Sequence, residues 1–202
     1  MGAACAPSYA NLFLGLWERT IFMTEPAPHI EKVLQWGRYI DDILFVWQGT
    51  AEELSTFMTY LNTNELNIKL TYKWGRSKME FLDVLFDVDQ DGYISTDVYR
   101  KKTSTNTLLH ASSSHPHALV SNIPTGQFLR IRRICSTDEH FEKQANDLSL
   151  RFQERGYQER DITRGYARAK DTPRGNLLTQ SKRKKGNDQR IPSENTGTCP
   201  RN

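Results

Sequence analysis

Asp41 and Asp42 stand side by side in the stretch WGRYIDDILFVW, residues 36–47, between two short runs rich in aromatic and β-branched residues. Such runs favour extended chain, so the stretch predicts a hairpin that presents two carboxylates at its tip. A bare carboxylate is costly to bury and two neighbours repel each other, so the pair must lie where water or a divalent cation neutralises it. A hard cation with oxygen ligands, such as Mg²⁺, fits that chemistry. A solvated Asp-Asp turn without a ligand fits it too, and the surroundings must decide between them.

Other acidic and imidazole groups are weaker candidates. Asp87, Asp89, Asp91, Gly92, Ile94 and Ser95 follow much of a calcium-binding loop, but Val98 stands where the bidentate glutamate belongs. The flanks read as strands, so a hairpin turn closed by glycine explains the stretch better. His110, His115 and His117 lie close together without a cysteine partner or HExxH spacing, and with the neighbouring serines and Pro116 they read as a polar connection. The serines there lack the strand-turn-helix setting of a hydrolase nucleophile.

The surroundings of the aspartate pair carry a resemblance. Tyr39-Ile40-Asp41-Asp42 resembles the YxDD hairpin of reverse transcriptases, and MGAACAPSYANLFLGLWE, residues 1–18, resembles the stretch that precedes it. The block MEFLDVLFDVDQDGYISTDVYRKKTSTNTLLHASSSHP is similar to the one after the catalytic hairpin in Penelope-like retroelements and their relatives. IPTGQFLRIRRICS resembles the helix-turn-helix segment that follows. The resemblance covers roughly residues 1–166. It implies an RNA-directed DNA polymerase palm in which Asp41 and Asp42 hold catalytic Mg²⁺ or Mn²⁺. Gly2, Pro7, Asn11 and Tyr39 would then lie beside template and incoming nucleotide, and an RNA template and DNA primer would be the partners. The third palm carboxylate and the fingers lie upstream of the matched segment in that family. The chain is therefore expected to be a C-terminal piece that does not polymerise DNA without an N-terminal polymerase half.

The elements that must position these groups follow from periodicity. Tyr9, Leu12, Phe13, Leu16 and Trp17 recur at helical spacing and predict a helix over residues 8–20 facing a core. Thr50 and Glu53 form a capping-box signature ahead of a helix whose buried stripe is Leu54, Phe57, Met58 and Leu61. Ile68, Leu70 and Tyr72 alternate with polar residues as in a half-buried strand, and residues 81–87 and 93–100 read as two more strands. From Leu119 the pattern becomes helical. Phe128, Ile131 and Ile134 make one buried stripe, Ser136 or Thr137 caps a second helix ended by Gly156, and a third spans residues 159–170.

The fold class expected is α+β: a partial palm of hairpins with packed helices over residues 1–105, then a small helical thumb or helix-turn-helix region over 106–170. A disordered basic tail follows over 171–202, where large apolar residues are too sparse to order the chain. Charge is unevenly divided along the chain. Residues 1–127 carry 10 Lys+Arg against 14 Asp+Glu, a net of −4, whereas residues 128–202 carry 17 against 10, a net of +7. An acidic half that holds metal and a basic half that holds phosphate suit a nucleic-acid enzyme, and ordinary surface charge with a basic tail gives the same totals. Arg100, Lys101, Lys102, Arg130, Arg132 and Arg133 are the candidate contacts to a nucleic-acid backbone, and Lys182, Arg183, Lys184 and Lys185 make a further basic patch in the tail.

No run approaches the roughly 20 apolar residues of a membrane span, so no membrane association is expected. The apolar start lacks a basic lead, and Ala6 stands where a myristoylation motif needs a hydroxyl. Cys5, Cys135 and Cys199 lack metal-ligand spacing and predict free thiols in a reducing, nuclear or cytoplasmic setting. Two alternatives to the polymerase fragment stand beside it. One is a nucleic-acid-binding helical module that carries a relic palm. The other is a pseudogene product that folds poorly because an incomplete palm exposes a sheet edge and an apolar face.

Overall fold

The computed structural model describes residues 4–101, 103 and 105–179. Gly2, Lys102, Cys199 and the basic run at 182–185 lie outside the described residues. The architecture is α+β, with six α-helices and two small antiparallel sheets among the described residues.

Helix α1 (Ala6–Arg19) carries Pro7 in its first turn, where the missing N–H has no partner to lose, and runs on into a π turn at Thr20–Thr24. Strands β1 (Val33–Tyr39) and β2 (Asp42–Trp47) form the hairpin, with Trp36 opposite Phe45 and Tyr39 opposite Asp42. Helix α2 (Ala51–Asn62) opens on the capping box: the Glu53 amide donates to Thr50 Oγ1 at 3.2 Å and the Thr50 amide donates to the Glu53 carboxylate at 2.8 Å. Its buried Phe57 packs on the hairpin, 5.9 Å from Phe45 and 5.3 Å from Trp47 between ring centroids. Leu54, Met58 and Leu61, together with Trp17, Ile21 and Ala27, complete this first core.

Two expectations for this half are corrected. Of the α1 stripe only Trp17 reaches the core; Tyr9, Leu12 and Leu16 are 72, 70 and 65% exposed and Phe13 lies at the surface. Helical spacing shows that these side chains share a face, but it does not supply a surface to cover them. Residues 68–72 form no strand. The side-chain amide of Asn62 bonds both the N–H and the C=O of Leu70, and that of Asn64 does the same for Ile68. These amides take the place of a neighbouring strand, while Ile68 and Leu70 still pack against the first core.

Strands β3 (Lys78–Phe81), β4 (Val84–Val88) and β5 (Ile94–Val98) form the second sheet in that order. The run expected as one strand from residue 81 is broken by a two-residue turn, Leu82-Asp83, with Leu82 at φ 54°. Between β4 and β5, Asp89 accepts from the amides of Asp91 and Tyr93 at 2.9 and 2.8 Å, and Gly92 takes φ 84°. The carboxylate in the calcium-loop-like position thus organises its own turn.

Helices α3 (His117–Ile134), α4 (Asp138–Glu154) and α5 (Glu159–Lys170) surround a second core of Phe128, Ile131, Phe141, Leu148, Phe152 and Ile162, and Val98 of β5 belongs to the same cluster. Ser136 ties the end of α3 to the sheet: its amide donates to the Thr96 carbonyl at 3.0 Å, and its hydroxyl accepts from the Thr96 amide at 2.8 Å. Thr137 caps α4, accepting from the His140 amide at 3.2 Å, and Gly156 at φ 74° closes α4. A further short helix, α6 (Arg174–Leu178), falls within the stretch expected to stay unordered from residue 171. Arg174 anchors it by donating to the Arg133 carbonyl at 3.1 Å, one of the groups that a helix C-terminus leaves free.

Candidate functional site

The hairpin tip is a two-residue turn, Ile40-Asp41, with Ile40 at φ 55°. A positive φ is costly for a β-branched residue, so something must hold it. Arg38 is placed to do so. Its Nη1 donates to the Ile40 carbonyl at 2.9 Å and to Asn11 Oδ1 at 2.9 Å, while Nε and Nη2 form a fork on Glu18 at 2.8 and 3.1 Å. Trp36 Nε1 adds a bond to Glu18 at 2.8 Å. Burial pushes the Glu18 carboxyl up, but the bonds from Arg38 and Trp36 and the Arg38 charge outweigh it and hold the group below its ordinary range.

Asp41 and Asp42 are exposed at this tip and neither carboxylate has a partner among the described residues. The comparable aspartate of the Leu82-Asp83 turn is, by contrast, ion-paired with Arg130. Tyr39 is exposed, Asn11 is bound to Arg38, and Pro7 lies a turn before Asn11 in α1. Among the described residues no cluster of three or more acidic, histidine or cysteine side chains is placed to hold a metal. Mg²⁺ commonly binds one or two carboxylates and retains several waters, so this pair suits a hydrated ion and not an all-protein cage.

The second half gathers positive charge. Arg100 and Lys101 follow β5, Arg130 lies on α3 and Arg151 on α4, and all four line one groove of about 710 Å³. Its floor is apolar, with Val98, Ile123, Ile131 and Leu148. Arg100 is paired with Asp147 and Arg130 with Asp83, whereas Lys101 and Arg151 have no ion-pair partner among the described residues. Burial and the neighbouring Arg100 charge both pull the Arg151 guanidinium below its ordinary pKa, although an arginine stays charged throughout the usual range. Exposed ion pairs are weak, so an incoming anion can take over Arg100 and Arg130 at little cost.

Arg132 and Arg133 do not join this groove. Arg132 bonds Asp138 at 2.6 Å and lies 5.1 Å over the Phe141 ring; Arg133 is exposed, and its carbonyl receives Arg174.

A second basic surface appears on α5, which follows α4 after the four residues 155–158. Arg160, Thr163, Arg164, Ala167 and Arg168 are exposed along one side, while Ile162, Gly165 and Ala169 face the core. Arg164 is fixed by Asp161 at 3.2 Å and by the Ser121 carbonyl at 2.7 Å. Neither Arg151 nor the α5 arginines are among the contacts expected from sequence. The i, i+4, i+8 spacing of Arg160, Arg164 and Arg168 is a signal that could have found the latter; Arg151 is only recognisable once α4 is placed against residue 100.

Residues 107–166, which take in α3, α4 and the first two-thirds of α5, match the model of the animal helix-turn-helix domain. No curated protein and no solved structure matches the chain. The match coincides with the helix-turn-helix segment expected from the sequence. Among the described residues no helix is long and apolar enough to cross a membrane.

Proposed function

We propose that this protein binds nucleic acid through its helical half. The observation that carries this reading is the convergence of Arg100, Lys101, Arg130 and Arg151, drawn from separate parts of the chain, on one groove with an apolar floor. Guanidinium groups pair bidentately with phosphate. The exposed arginines of α5 supply a second basic surface, with Arg160 and Arg164 inside the matched helix-turn-helix segment and Arg168 just beyond it. The experiment compares the full chain with two variants, Arg100→Gln/Lys101→Gln/Arg130→Gln/Arg151→Gln and Arg160→Gln/Arg164→Gln/Arg168→Gln, by anisotropy of labelled single-stranded and duplex oligonucleotides. Loss of affinity in the first variant supports the groove. Unchanged affinity in both refutes the reading.

The first half favours a more particular origin, a reverse-transcriptase palm of the Penelope-like kind. Support comes from Arg38, which joins Asn11 of the helix-forming motif to the tip of the YIDD hairpin, so two of the stretches that carry the resemblance are bound to each other. In that reading Asp41 and Asp42 are the metal-binding carboxylates, Mg²⁺ or Mn²⁺ is the cofactor, and an RNA template and DNA primer are the partners. The metal would supply charge neutralisation at a transferring phosphoryl group. In a complete palm that carries this hairpin, Asp41→Asn/Asp42→Asn should abolish primer extension; equal extension by that variant would exclude it.

A further inference from the structure

We propose that Arg38 is a positioning residue: by bonding the Ile40 carbonyl while anchored on Glu18 and Asn11, it holds the hairpin tip in the left-handed turn that sets the directions of Asp41 and Asp42. Three observations converge. Ile40 is β-branched at φ 55°, a conformation that persists only where the surroundings impose it. The Ile40 carbonyl receives Arg38 Nη1 at 2.9 Å, a bond that the turn keeps only while the carbonyl points that way. Arg38 is itself over-determined, because Glu18 accepts from both Nε and Nη2, Asn11 accepts from Nη1, and Trp36 steadies Glu18 from β1. The Arg38 side chain is only 11% exposed, and the fork needs two donors in fixed geometry, which a lysine cannot reproduce.

The Leu82-Asp83 turn provides an internal comparison. It has the same length and again a bulky residue at positive φ, and it too is held from outside, through Arg130 on its aspartate and through the Tyr99 amide on the Asp83 carbonyl at 2.9 Å. There the external hold consumes the aspartate. At Ile40 it falls on a backbone carbonyl and leaves both carboxylates open. Arg38 therefore shapes the acidic tip without touching either acid.

The test uses the full-length chain with Arg38→Gln, Ile40→Gly, and the two combined. Glycine takes positive φ without strain, so it should dispense with the clamp. Amide and Cα chemical shifts of Asp41 and Asp42 read the tip, while unchanged shifts in α2 report that each variant folds. Arg38→Gln should displace the Asp41 and Asp42 shifts, and adding Ile40→Gly should return them toward the native values. Where Arg38→Gln does not fold, Arg38→Lys, which keeps charge and reach but loses the fork, takes its place. Shifts unmoved by either Arg38 variant, or moved and not restored by Ile40→Gly, would overturn the proposal.

A second readout, Mn²⁺ affinity from water-proton relaxation, rests on the reading of Asp41 and Asp42 as cation ligands. It should fall about tenfold in Arg38→Gln and recover in the double variant. Asp41→Asn/Asp42→Asn separates the two ideas. If it leaves Mn²⁺ binding intact, the cation reading fails and the chemical shifts alone judge Arg38. If it abolishes binding while Arg38→Gln does not weaken it, the role of Arg38 fails and the cation reading stands.

Discussion

Gly165 of α5 lies so close to Thr125 of α3 that a Cβ on it would stand 2.8 Å from the Thr125 nitrogen and 2.9 Å from the Pro124 carbonyl carbon. Both obstacles are backbone, so they cannot swing aside as a flexible side chain could. The close crossing sets where α5 leaves the helical core, and hence where its arginines stand. Gly165→Ala gains up to about 1 kcal/mol of helix propensity but forces the two helices apart, at a cost of about 1–3 kcal/mol for overpacking. We expect a net loss of stability in the helical half, read as a lower urea midpoint with α5 amides losing exchange protection. An unchanged midpoint would mean that the crossing gives way easily.

The clamp under the hairpin tip predicts a pH dependence. The Glu18 carboxyl is held below its ordinary range in the folded chain by bonds and charge that outweigh its burial. The group therefore binds more protons when unfolded, and its stabilising contribution is complete above its unfolded pKa and is lost as pH falls through the lowered folded value. The first half should weaken across that acidic window, as followed by the fluorescence of Trp17, Trp36 and Trp47. Glu18→Gln should remove this part of the pH dependence. A variant with the native acid profile would show that the clamp is not the titrating element.

Cys135 is fully buried beside Asp97, its Sγ 3.6 Å from Oδ1. Burial, then the Asp97 charge, pushes its thiol up to about 12. Since the thiolate is the reactive form, alkylation of the native chain at pH 8 should label Cys5, which is exposed, and spare Cys135 until denaturant is added. Peptide mass spectrometry decides it: rapid native labelling of Cys135 would contradict the burial.

Much of the fold is legible in the residues. Thr50 and Glu53 announce the start of α2, its four buried apolar residues announce its inner face, and Gly156 announces the end of α4. What stays hidden depends on partners distant in sequence. The spacing of Tyr9, Leu12 and Leu16 gives a face but not its cover. The turn at Leu82-Asp83 lacks the glycine that marks such reversals, because Arg130, 47 residues away, holds it. Asn62 and Asn64 look like ordinary turn residues, yet their amides take over the backbone bonds that a strand would have made. The groove is least legible of all: Arg100 and Arg151 become neighbours only through the packing of β5 and α4 on one core.

The most direct test of nucleic-acid binding by the groove is its salt dependence, measured by anisotropy across a salt series for the full chain and for Arg100→Gln/Lys101→Gln/Arg130→Gln/Arg151→Gln. Each phosphate that the protein ceases to neutralise should make the slope of log K against log salt shallower by about 0.7 to 0.9. The native chain should bind more tightly and with the steeper slope, and the variant's slope should correspond to about two to four fewer phosphates neutralised. Equal slopes and equal affinities in the two proteins would contradict this, and would leave the groove without a part in nucleic-acid binding.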